Sequence, residues 1–469
     1  MSALRIDLTP TLRLHEQVAE LAPTHGGEID AALAAAAHSM RERGIVFERA
    51  KPFLVAMSAL VLRREDEQRL RSLAERLHWL VERLVAPLID SPEMLARYFP
   101  AHRRVFPYLA KTRGADWWQV VGRYDVAVTP GGELKVMELN TGCPAAFMIA
   151  DTFSAVTAEA LAAVKDAVGG GIEFQPRHTG TVAPDALLDG LLDLERRSGL
   201  EPAGIGILTD ENQLTLELDQ IAAALAARGR RAEVIDARQL TYSGGRLAHG
   251  GRELSLTYNK FRISTPRSPN HCWKDGFEQR YAAFLAGQRD GAIVSVNNLA
   301  AMSVLEDKSL LALLRDPQVT AELDEADRRF LDDHILWTAR LEDGRVKWQG
   351  ETIDLLPHVR QHREQFVIKP ANEGRGFDVV VGKYADDDQW RRACRVDADV
   401  PRIVQQYTEI ARFPAVCRSR GQVVTRPMFL TLGLAIIDGR YQGLVSRVSA
   451  NPVTNVAREG FVQGVFCVD

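Results

Sequence analysis

Cysteine is scarce in this chain, and its spacing fits no metal or redox motif. The five cysteines among 469 residues are spread along the sequence, at Cys143, Cys272, Cys394, Cys417 and Cys467. An odd and sparse set of this kind is typical of free thiols in a reducing compartment, so we expect a cytoplasmic protein. The eleven histidines form no HExxH-type motif, which argues against zinc chemistry of that kind.

Long apolar runs and a strong net charge are also missing. No apolar stretch approaches the roughly 20 residues that cross a bilayer, and the start, MSALRIDLTP, lacks the basic and apolar regions of a signal peptide. A net charge of −4 gives no reason to expect a nucleic acid or a membrane as partner. Hydrophobic residues at 46% and charged residues at 26% describe an ordinary globular protein.

The pattern of helices and strands predicts a mixed α/β protein with α+β elements. Helical apolar spacing recurs near the start of the chain, over 14–39, 66–89 and 93–108. Later strands alternate with helices, which predicts a small parallel sheet. We expect four regions: a helical N-terminal region (1–110), a hairpin with a following helix (111–180), a parallel-sheet domain (200–300) and a strand-rich region (301–469).

The most informative segment runs from Arg123 to Asn140. Two stretches with near period-2 alternation flank the sequence PGG at 130–132, which predicts a β-hairpin. With the turn centred between the two glycines, Asp125 lies opposite Glu138 and the two end residues lie opposite each other. All four polar side chains then share one face of the hairpin.

Opposed carboxylates in a strand pair repel each other, so this polar set indicates that something outside the hairpin offsets the repulsion. A hard cation is the simplest reason, because Mg²⁺ takes one or two carboxylates, an amide oxygen and the phosphates of a substrate. The alternative is a solvated hairpin face on which Arg123 pairs with Asp125.

Residues 366–383, FVIKPANEGRGFDVVVGK, predict a strand, a glycine-containing loop and a second strand. Lys369 ends the first strand, and Glu373, Gly374 and Gly376 shape the loop. Backbone N–H groups of such a loop can close over phosphate oxygens while a lysine adds a point charge. The spacing is not GxxxxGK[ST], which excludes a P-loop. A plain hairpin with a glycine turn would give a similar pattern.

Two further segments are candidates for binding a nucleotide. Lys308 lies on a helix predicted over 303–314, where an ordinary solvated lysine is the alternative. The strand over 403–410 changes from apolar to polar, which suits either an adenine-binding connector or an ordinary strand end.

Arg262 and Arg447 each lie near the end of a predicted strand. Arg262 suits bidentate binding of a substrate carboxylate, or is a charge on a surface strand. Arg447 precedes the long loop 450–460, a position that suits charge neutralisation on a transferring phosphoryl group beneath a closing loop. Cys143 is a candidate nucleophile, but no local sequence motif pairs it with a histidine, and small buried cysteines are common.

Together these segments resemble a known family. RYD…MELNTG, the EDK helix, VIKPANEGRG, VQQY and LVSRVS recur in this order in the ATP-grasp ligases related to glutathionylspermidine synthetase and eukaryotic-type glutathione synthetase. The ATP-grasp fold of that family is circularly permuted, so the metal-binding Glu-x-Asn at 138–140 precedes both Lys308 and Lys369. The resemblance covers roughly 117–150 and 256–469.

The resemblance implies a circularly permuted ATP-grasp fold with a helical N-terminal region and a small inserted parallel-sheet substrate domain. It implies an ADP-forming ligase that joins a carboxylate to an amine or a thiol through an acyl phosphate, with ATP and Mg²⁺ as cofactors. The expected roles are magnesium binding by Asp125, Glu138 and Asn140, nucleotide binding by Lys308, Lys369, Glu373, Gly374, Gly376, Gln405, Gln406 and Tyr407, substrate binding by Arg262 and Cys143, and catalysis by Arg123 and Arg447.

The identity of the substrate stays open at this stage. The loop reads Glu-Gly-Arg-Gly rather than three glycines, and we expect no amidase domain like that of the bifunctional glutathionylspermidine enzymes. An amino acid, a γ-glutamyl peptide, a polyamine or a carrier-protein thiol are all compatible, and so is a homodimer. The alternatives are a phosphotransferase on the same scaffold and a non-catalytic nucleotide-binding protein. Nucleotide ligation requires the hairpin to lie beside both lysines.

Overall fold

The structure is a computed structural model that describes residues 3–47, 51–109, 121–210, 216–261, 276–374, 376–397, 401–419, 421–454, 456 and 460–469. Its helices are α1 (Thr9–Leu21), α2 (Gly26–Glu42), α3 (Arg64–Ile89), α4 (Pro92–Tyr98), α5 (Ala150–Ala167), α6 (Pro184–Arg197), α7 (Leu216–Ala227), α8 (Phe277–Arg280), α9 (Ala282–Arg289), α10 (Leu310–Leu313), α11 (Glu325–His334), α12 (Leu355–Gln361) and α13 (Asp387–Ala393).

The strands are β1 (Val46–Phe47), β2 (Lys51–Pro52), β3 (Ala56–Met57), β4 (Ala59–Leu62), β5 (Val121–Val128), β6 (Leu134–Asn140), β7 (His178–Thr179), β8 (Gly204–Thr209), β9 (Ala232–Asp236), β10 (Thr241–Ser243), β11 (Arg246–His249), β12 (Arg252–Asn259), β13 (Val294–Val296), β14 (Thr338–Arg340), β15 (Arg345–Trp348), β16 (Glu351–Asp354), β17 (Phe366–Pro370), β18 (Val380–Val381), β19 (Arg402–Gln406), β20 (Arg412–Ser419), β21 (Gln422–Ile437), β22 (Arg440–Ser449) and β23 (Phe461–Cys467).

A large, mostly antiparallel sheet holds the chain together. Its order is β3-β20-β21-β22-β23-β4, with β5 joined to β21 and to β6, and β7 joined to β23. Strand β21 has 16 residues, so its first half pairs with β20 while its second half pairs with β5. The second half is buried at every residue, as expected for a strand covered on both faces. This arrangement places the predicted hairpin, β5 and β6, beside β21 and β22.

The N-terminal region is less uniformly helical than its spacing predicts. The predicted helix over 14–39 forms as α1 and α2, separated at 22–25 where Pro23 lies, and the one over 93–108 ends at Tyr98 and continues in short 3₁₀ turns. The region also supplies β3 and β4 to the large sheet. Very short apolar strands lack a periodicity that would distinguish them from buried helix.

The parallel sheet predicted between 200 and 300 is confirmed. Strands β9, β8, β12 and β13 run parallel in that order. Strands β10 and β11 continue the sheet from β12 in antiparallel pairing, which the sequence pattern did not predict. Described parts of the chain contain no helix long and apolar enough to cross a membrane.

A smaller antiparallel sheet in the C-terminal half has the order β14-β19-β17-β18. Its inner face packs on Trp348, Val359 and Trp390, and the side chains of Phe366 and Val404 join the same core. The helix predicted over 303–314 is not continuous, because a π-helix over Ala301–Leu305 is followed by a turn before α10. The turn carries Lys308.

Candidate functional site

The hairpin of β5 and β6 forms both predicted polar pairs, with Asp125 opposite Glu138 and the two end residues opposite each other. Its turn has a different centre, because Val126 pairs with Val136, a register that would place Asp125 opposite Met137. A β-bulge at this point inserts one extra residue into β6 and restores the polar pairing. The predicted pairs are therefore right, but a bulge creates them.

Asp125 is nearly inaccessible, at 3% exposure, and two arginines neutralise it. Arg123 Nε donates to Oδ1 at 2.9 Å, and Arg447 Nη2 donates to Oδ2 at 2.6 Å. Burial would raise the pKa of this carboxyl, but the two guanidinium groups outweigh burial and hold the pKa well below its ordinary value. Asp125 is therefore an anion throughout the neutral range.

Lys308 reaches the hairpin from more than 150 positions later in the chain. Its Nζ lies 3.5 Å from Glu138 Oε2 and donates to the carbonyl of Glu373 at 2.6 Å. The turn that carries Lys308 is held because its backbone N–H donates to Ala371 O at 3.0 Å. Lys308 thus contacts both the hairpin of β5 and β6 and the glycine-containing loop after β17.

Lys369 reaches the same place from the smaller sheet. It lies in the buried strand β17, and its Nζ donates to Gln405 Oε1 at 2.7 Å and to Met137 O at 3.4 Å. Burial lowers the pKa of Lys369 to about 8, Glu138 opposes that change and Lys308 adds to it. The two lysines and the hairpin acids, which the sequence separates widely, therefore form one cluster.

A cleft opens beside this cluster, between the smaller sheet and the large sheet. One end is charged, and Asp125, Glu138, Lys369 and Arg447 line it. The other end is apolar and is lined by Leu336, Val367, Val379, Val381, Ile410, Phe429, Pro452 and Val453. A concave apolar pocket with a few convergent charges is the usual form of a small-molecule site.

The predicted connector comprises the end of β19 and the residues just after it, and it borders the cleft. Gln406 and Tyr407 line it, and the Tyr407 hydroxyl donates to Glu409 Oε2 at 3.0 Å. Gln405 also lines it, but its side chain is engaged within the protein, since it accepts from Lys369 and its Nε2 donates to Thr338 Oγ1 at 3.1 Å. In this structure Gln405 orients Lys369.

The loop after β17 borders the charged end of the cleft. Glu373 is buried, and its carbonyl oxygen accepts the hydrogen bond from Lys308. Gly376 lines the cleft with φ of +64°, a conformation that favours glycine. Gly374 has open space where a Cβ would point, and Arg375 lies outside the described residues.

One of the two predicted substrate residues, Cys143, does not line the cleft. Cys143 is fully buried, and its Sγ donates to the carbonyl of Val296 at 3.4 Å. Burial raises the pKa of this thiol to about 11, so it is neutral and a poor nucleophile near neutral pH. Arg262 lies outside the described residues.

Sequence reasoning missed two residues that shape the site. One carboxylate oxygen of Glu306 accepts the backbone N–H groups of Thr141 and Gly142, and so fixes the segment after β6. Gly433 lies opposite Asp125 on β21, and a Cβ there would be 2.6 Å from Arg123 Cδ. A glycine inside a strand often marks such a close approach, which is the signal that was available.

The hairpin offers oxygen atoms for a hard cation. Asp125, Glu138 and Asn140 project from one face, and the Asn140 amide nitrogen donates to Arg123 O at 3.3 Å, which leaves the amide oxygen as its acceptor atom. The Glu138 side chain is 26% exposed and borders the cleft. Carboxylate and amide oxygens are ligands that Mg²⁺ accepts, so this set fits such an ion.

Comparison with known proteins gives a likeness of fold. No known protein-family profile matches this chain, and no curated protein sequence matches it. The macrocyclase MdnC from Microcystis aeruginosa MRC, bound with precursor peptide MdnA, aligns over 51% of this chain and 90% of its own at 13% identity. Its TM-score of 0.25 is too low to indicate a shared fold. A glutathione synthetase-like effector (GSS30) from Globodera pallida, in its apo form, aligns over 95% of this chain and 98% of its own at 10% identity, with a TM-score of 0.63. The chain therefore shares the overall fold of a glutathione synthetase-like protein.

Proposed function

We propose that this chain is an ATP-dependent ligase with a circularly permuted ATP-grasp fold, which joins a carboxylate to an amine or a thiol through an acyl phosphate. One observation carries the proposal: the hairpin acids and the two distant lysines meet at the charged end of an apolar cleft. Lys308 Nζ lies 3.5 Å from Glu138, and Lys369 Nζ lies 3.4 Å from the carbonyl of Met137, which is 232 residues earlier.

The two ends of the cleft suit the two parts of a nucleotide. The apolar end, with Val367 and Phe429 among its lining residues, accommodates a base, and the connector over 405–407 offers polar groups at its edge. The charged end accommodates the triphosphate, where Lys308 and Lys369 supply positive charge.

Asp125, Glu138 and Asn140 would hold Mg²⁺, which would neutralise the phosphate charge. Both oxygens of Asp125 already accept from guanidinium groups, but a carboxylate has about four lone-pair sites and can also bind a cation. Arg123 and Arg447 keep Asp125 ionised, so the chain maintains this ligand in its binding form.

In the proposed reaction a substrate carboxylate oxygen attacks the γ-phosphorus of ATP and the bond to ADP breaks. An amine or a thiol then attacks the acyl carbon, inorganic phosphate leaves, and the nucleophile releases its proton. Lys308 and Lys369 hold the phosphates in line with the carboxylate. Arg447 Nε is buried and has no hydrogen-bond partner among the described residues, so it is placed to donate to the transferring group.

The proposed substrates are types of compound rather than single molecules. We propose an amino acid or a γ-glutamyl-type compound as the acid, and a small amine, a thiol or a carrier-protein thiol as the nucleophile. The test is a screen of amino acids and γ-glutamyl peptides with amine and thiol acceptors, read as ADP release and confirmed by product mass. Amide or thioester product with stoichiometric ADP and phosphate supports ligation, while a phosphorylated acceptor indicates a phosphotransferase.

A matched pair of variants distinguishes a site effect from a general effect on the hairpin. Glu138→Gln removes the cleft carboxylate, and Glu133→Gln removes a carboxylate at the other end of the same hairpin, where it pairs with Arg5 at 2.7 Å. The proposal expects ADP release to fall steeply only in the Glu138 variant. Equal activity in the two variants would contradict the metal role.

A non-catalytic nucleotide-binding protein is the second candidate. The engagement of both Asp125 oxygens by arginines favours it, because those bonds compete with a cation for the same atoms. Nucleotide binding that depends on Lys369, without ADP release from any substrate mixture, would select this candidate.

A further inference from the structure

Three side chains with metal-binding atoms meet away from the cleft, and none of them lines it. Glu67 lies in the first turn of α3, His178 in β7 and Cys467 at the end of β23. His178 Nε2 is 3.3 Å from Glu67 Oε2, and Cys467 Sγ is 3.6 Å from the same oxygen. One ligand atom from each residue lies within 4.8 Å of the other two.

The backbone arrangement brings these residues together. His178 and Cys467 are direct partners in the antiparallel pairing of β7 and β23, so their side chains leave the sheet on the same face. Arg177 N donates to Cys467 O at 2.8 Å and holds that register. The start of α3 places Glu67 over the pair.

The separations match those of a tetrahedral zinc site. Bond lengths of about 2.3 Å to sulfur and about 2.1 Å to nitrogen or oxygen place tetrahedral ligands about 3.4 Å apart for nitrogen and oxygen, and about 3.6 Å apart for sulfur and oxygen. The distances from Glu67 to His178 and to Cys467 are 3.3 and 3.6 Å. The separation of Cys467 from His178 is at most 4.8 Å, against about 3.6 Å between sulfur and nitrogen in such a site, and His178 is an exposed side chain that can adjust.

Tyr441 is a buried residue whose hydroxyl interacts electrostatically with two of these three residues. Its side chain is 2% exposed, and its hydroxyl has no hydrogen-bond partner among the residues the structure describes. Burial raises the pKa of that hydroxyl well above its ordinary value, and the charges of Glu67 and Cys467 act in the same direction. A buried hydroxyl without a partner is costly, and a bound ion or its water would satisfy it.

We propose that Glu67, His178 and Cys467 bind a zinc-type divalent cation, with water in the fourth position. A sulfur, an imidazole nitrogen and a carboxylate oxygen are the ligand types that zinc accepts. The thiol loses its proton to solvent on binding, and the resulting thiolate and carboxylate balance the charge of the ion. His178 and Cys467 lie 111 and 400 residues after Glu67 in the chain, so the ion would link β7 and β23 to α3.

The alternative is a hydrogen-bonded cluster in which the Cys467 thiol donates to Glu67. Metal titration of tag-free, chelator-treated full chain separates the two, with Zn²⁺ measured against a chromophoric competitor. Co²⁺ is the spectroscopic probe, because a thiolate ligand gives a sulfur-to-cobalt charge-transfer band. The variants are His178→Ala and Cys467→Ser. Their matched controls are His38→Ala, at an exposed histidine on α2, and Cys417→Ser, at a buried cysteine on β20.

We expect one Zn²⁺ per chain, at least about tenfold weaker binding in His178→Ala, and loss of the cobalt band in Cys467→Ser. Zn²⁺ should raise the unfolding temperature of the wild type and of both controls, but not of His178→Ala. Because His178 is exposed, its substitution leaves the folded protein available for measurement. Absence of Zn²⁺ binding by the wild type, or equal binding by His178→Ala, overturns the proposal.

Discussion

The buried Lys369 makes the stability of this protein depend on pH in a calculable way. Burial lowers its pKa to about 8 from the value of 10.5 that a free lysine has. Between these two values the unfolded chain holds a proton that the folded chain has released. Stability therefore rises with pH across this window, and the folded protein bears the whole cost of the buried charge below it.

The size of the effect follows from the two pKa values. At about 1.4 kcal/mol per unit, the difference between 10.5 and about 8 corresponds to about 3 kcal/mol in the free energy of unfolding. Roughly 2 kcal/mol of it should develop between about pH 7 and about pH 9.5, because the folded lysine has lost its proton by then and the unfolded one has not.

The assay is urea unfolding of the wild type, Lys369→Met and Lys347→Met at about pH 7, 8 and 9.5. Lys347 is exposed on β15 and controls for the loss of a lysine as such. The wild type and Lys347→Met should each gain about 2 kcal/mol relative to Lys369→Met as pH rises. A difference between wild type and Lys369→Met that stays constant over this range would refute the burial of the ammonium group.

The remaining predictions concern the hairpin and its neighbours. Glu138→Gln should lower turnover by roughly 100- to 1,000-fold with the fold intact, measured as ADP release; near wild-type release would exclude the metal role. Asp125→Asn should destabilise by about 3–5 kcal/mol in urea, because it leaves two buried guanidinium groups without their anion. Adding Arg447→Met to it should recover part of that loss, and a single-variant cost under about 1 kcal/mol would contradict the buried pairing. Gly433→Ala should cost about 1–3 kcal/mol and reduce turnover, because the added methyl group displaces Arg123, and unchanged values of both would refute the close approach.

The hairpin was largely predictable, because alternation fixes which side chains share a face and the glycine turn limits the register. The bulge after Asp125 was not predictable, because one extra residue in a strand is not visible in the pattern of apolar and polar residues. The parallel sheet was predictable for a similar reason, because its buried strands alternate with a helix. Its antiparallel extension came from short, partly exposed strands that carry little signal.

The cluster itself required more than local pattern. Nothing in the residues around Lys308 or Lys369 indicates that they contact a hairpin formed far earlier, and only the order of family motifs suggested it. Glu306 acts through backbone N–H groups and Gly433 through the absence of a side chain, so both depend on tertiary contacts. His178 and Cys467 show why the spacing of possible metal ligands along the sequence can miss a site. The two residues are brought together by the register of β7 and β23, which the sequence spacing does not show.

The pairing of β4 with β23 has a consequence for how this chain is made. Ala59 lies beside Gly464 in parallel register, so an early strand finds its partner only after roughly 400 further residues have left the ribosome. Until then the apolar edge of β4, buried at every residue once folded, must be shielded by α1 or by a chaperone. Such long-range closure is slow, so completion of this sheet belongs to the last stage of folding.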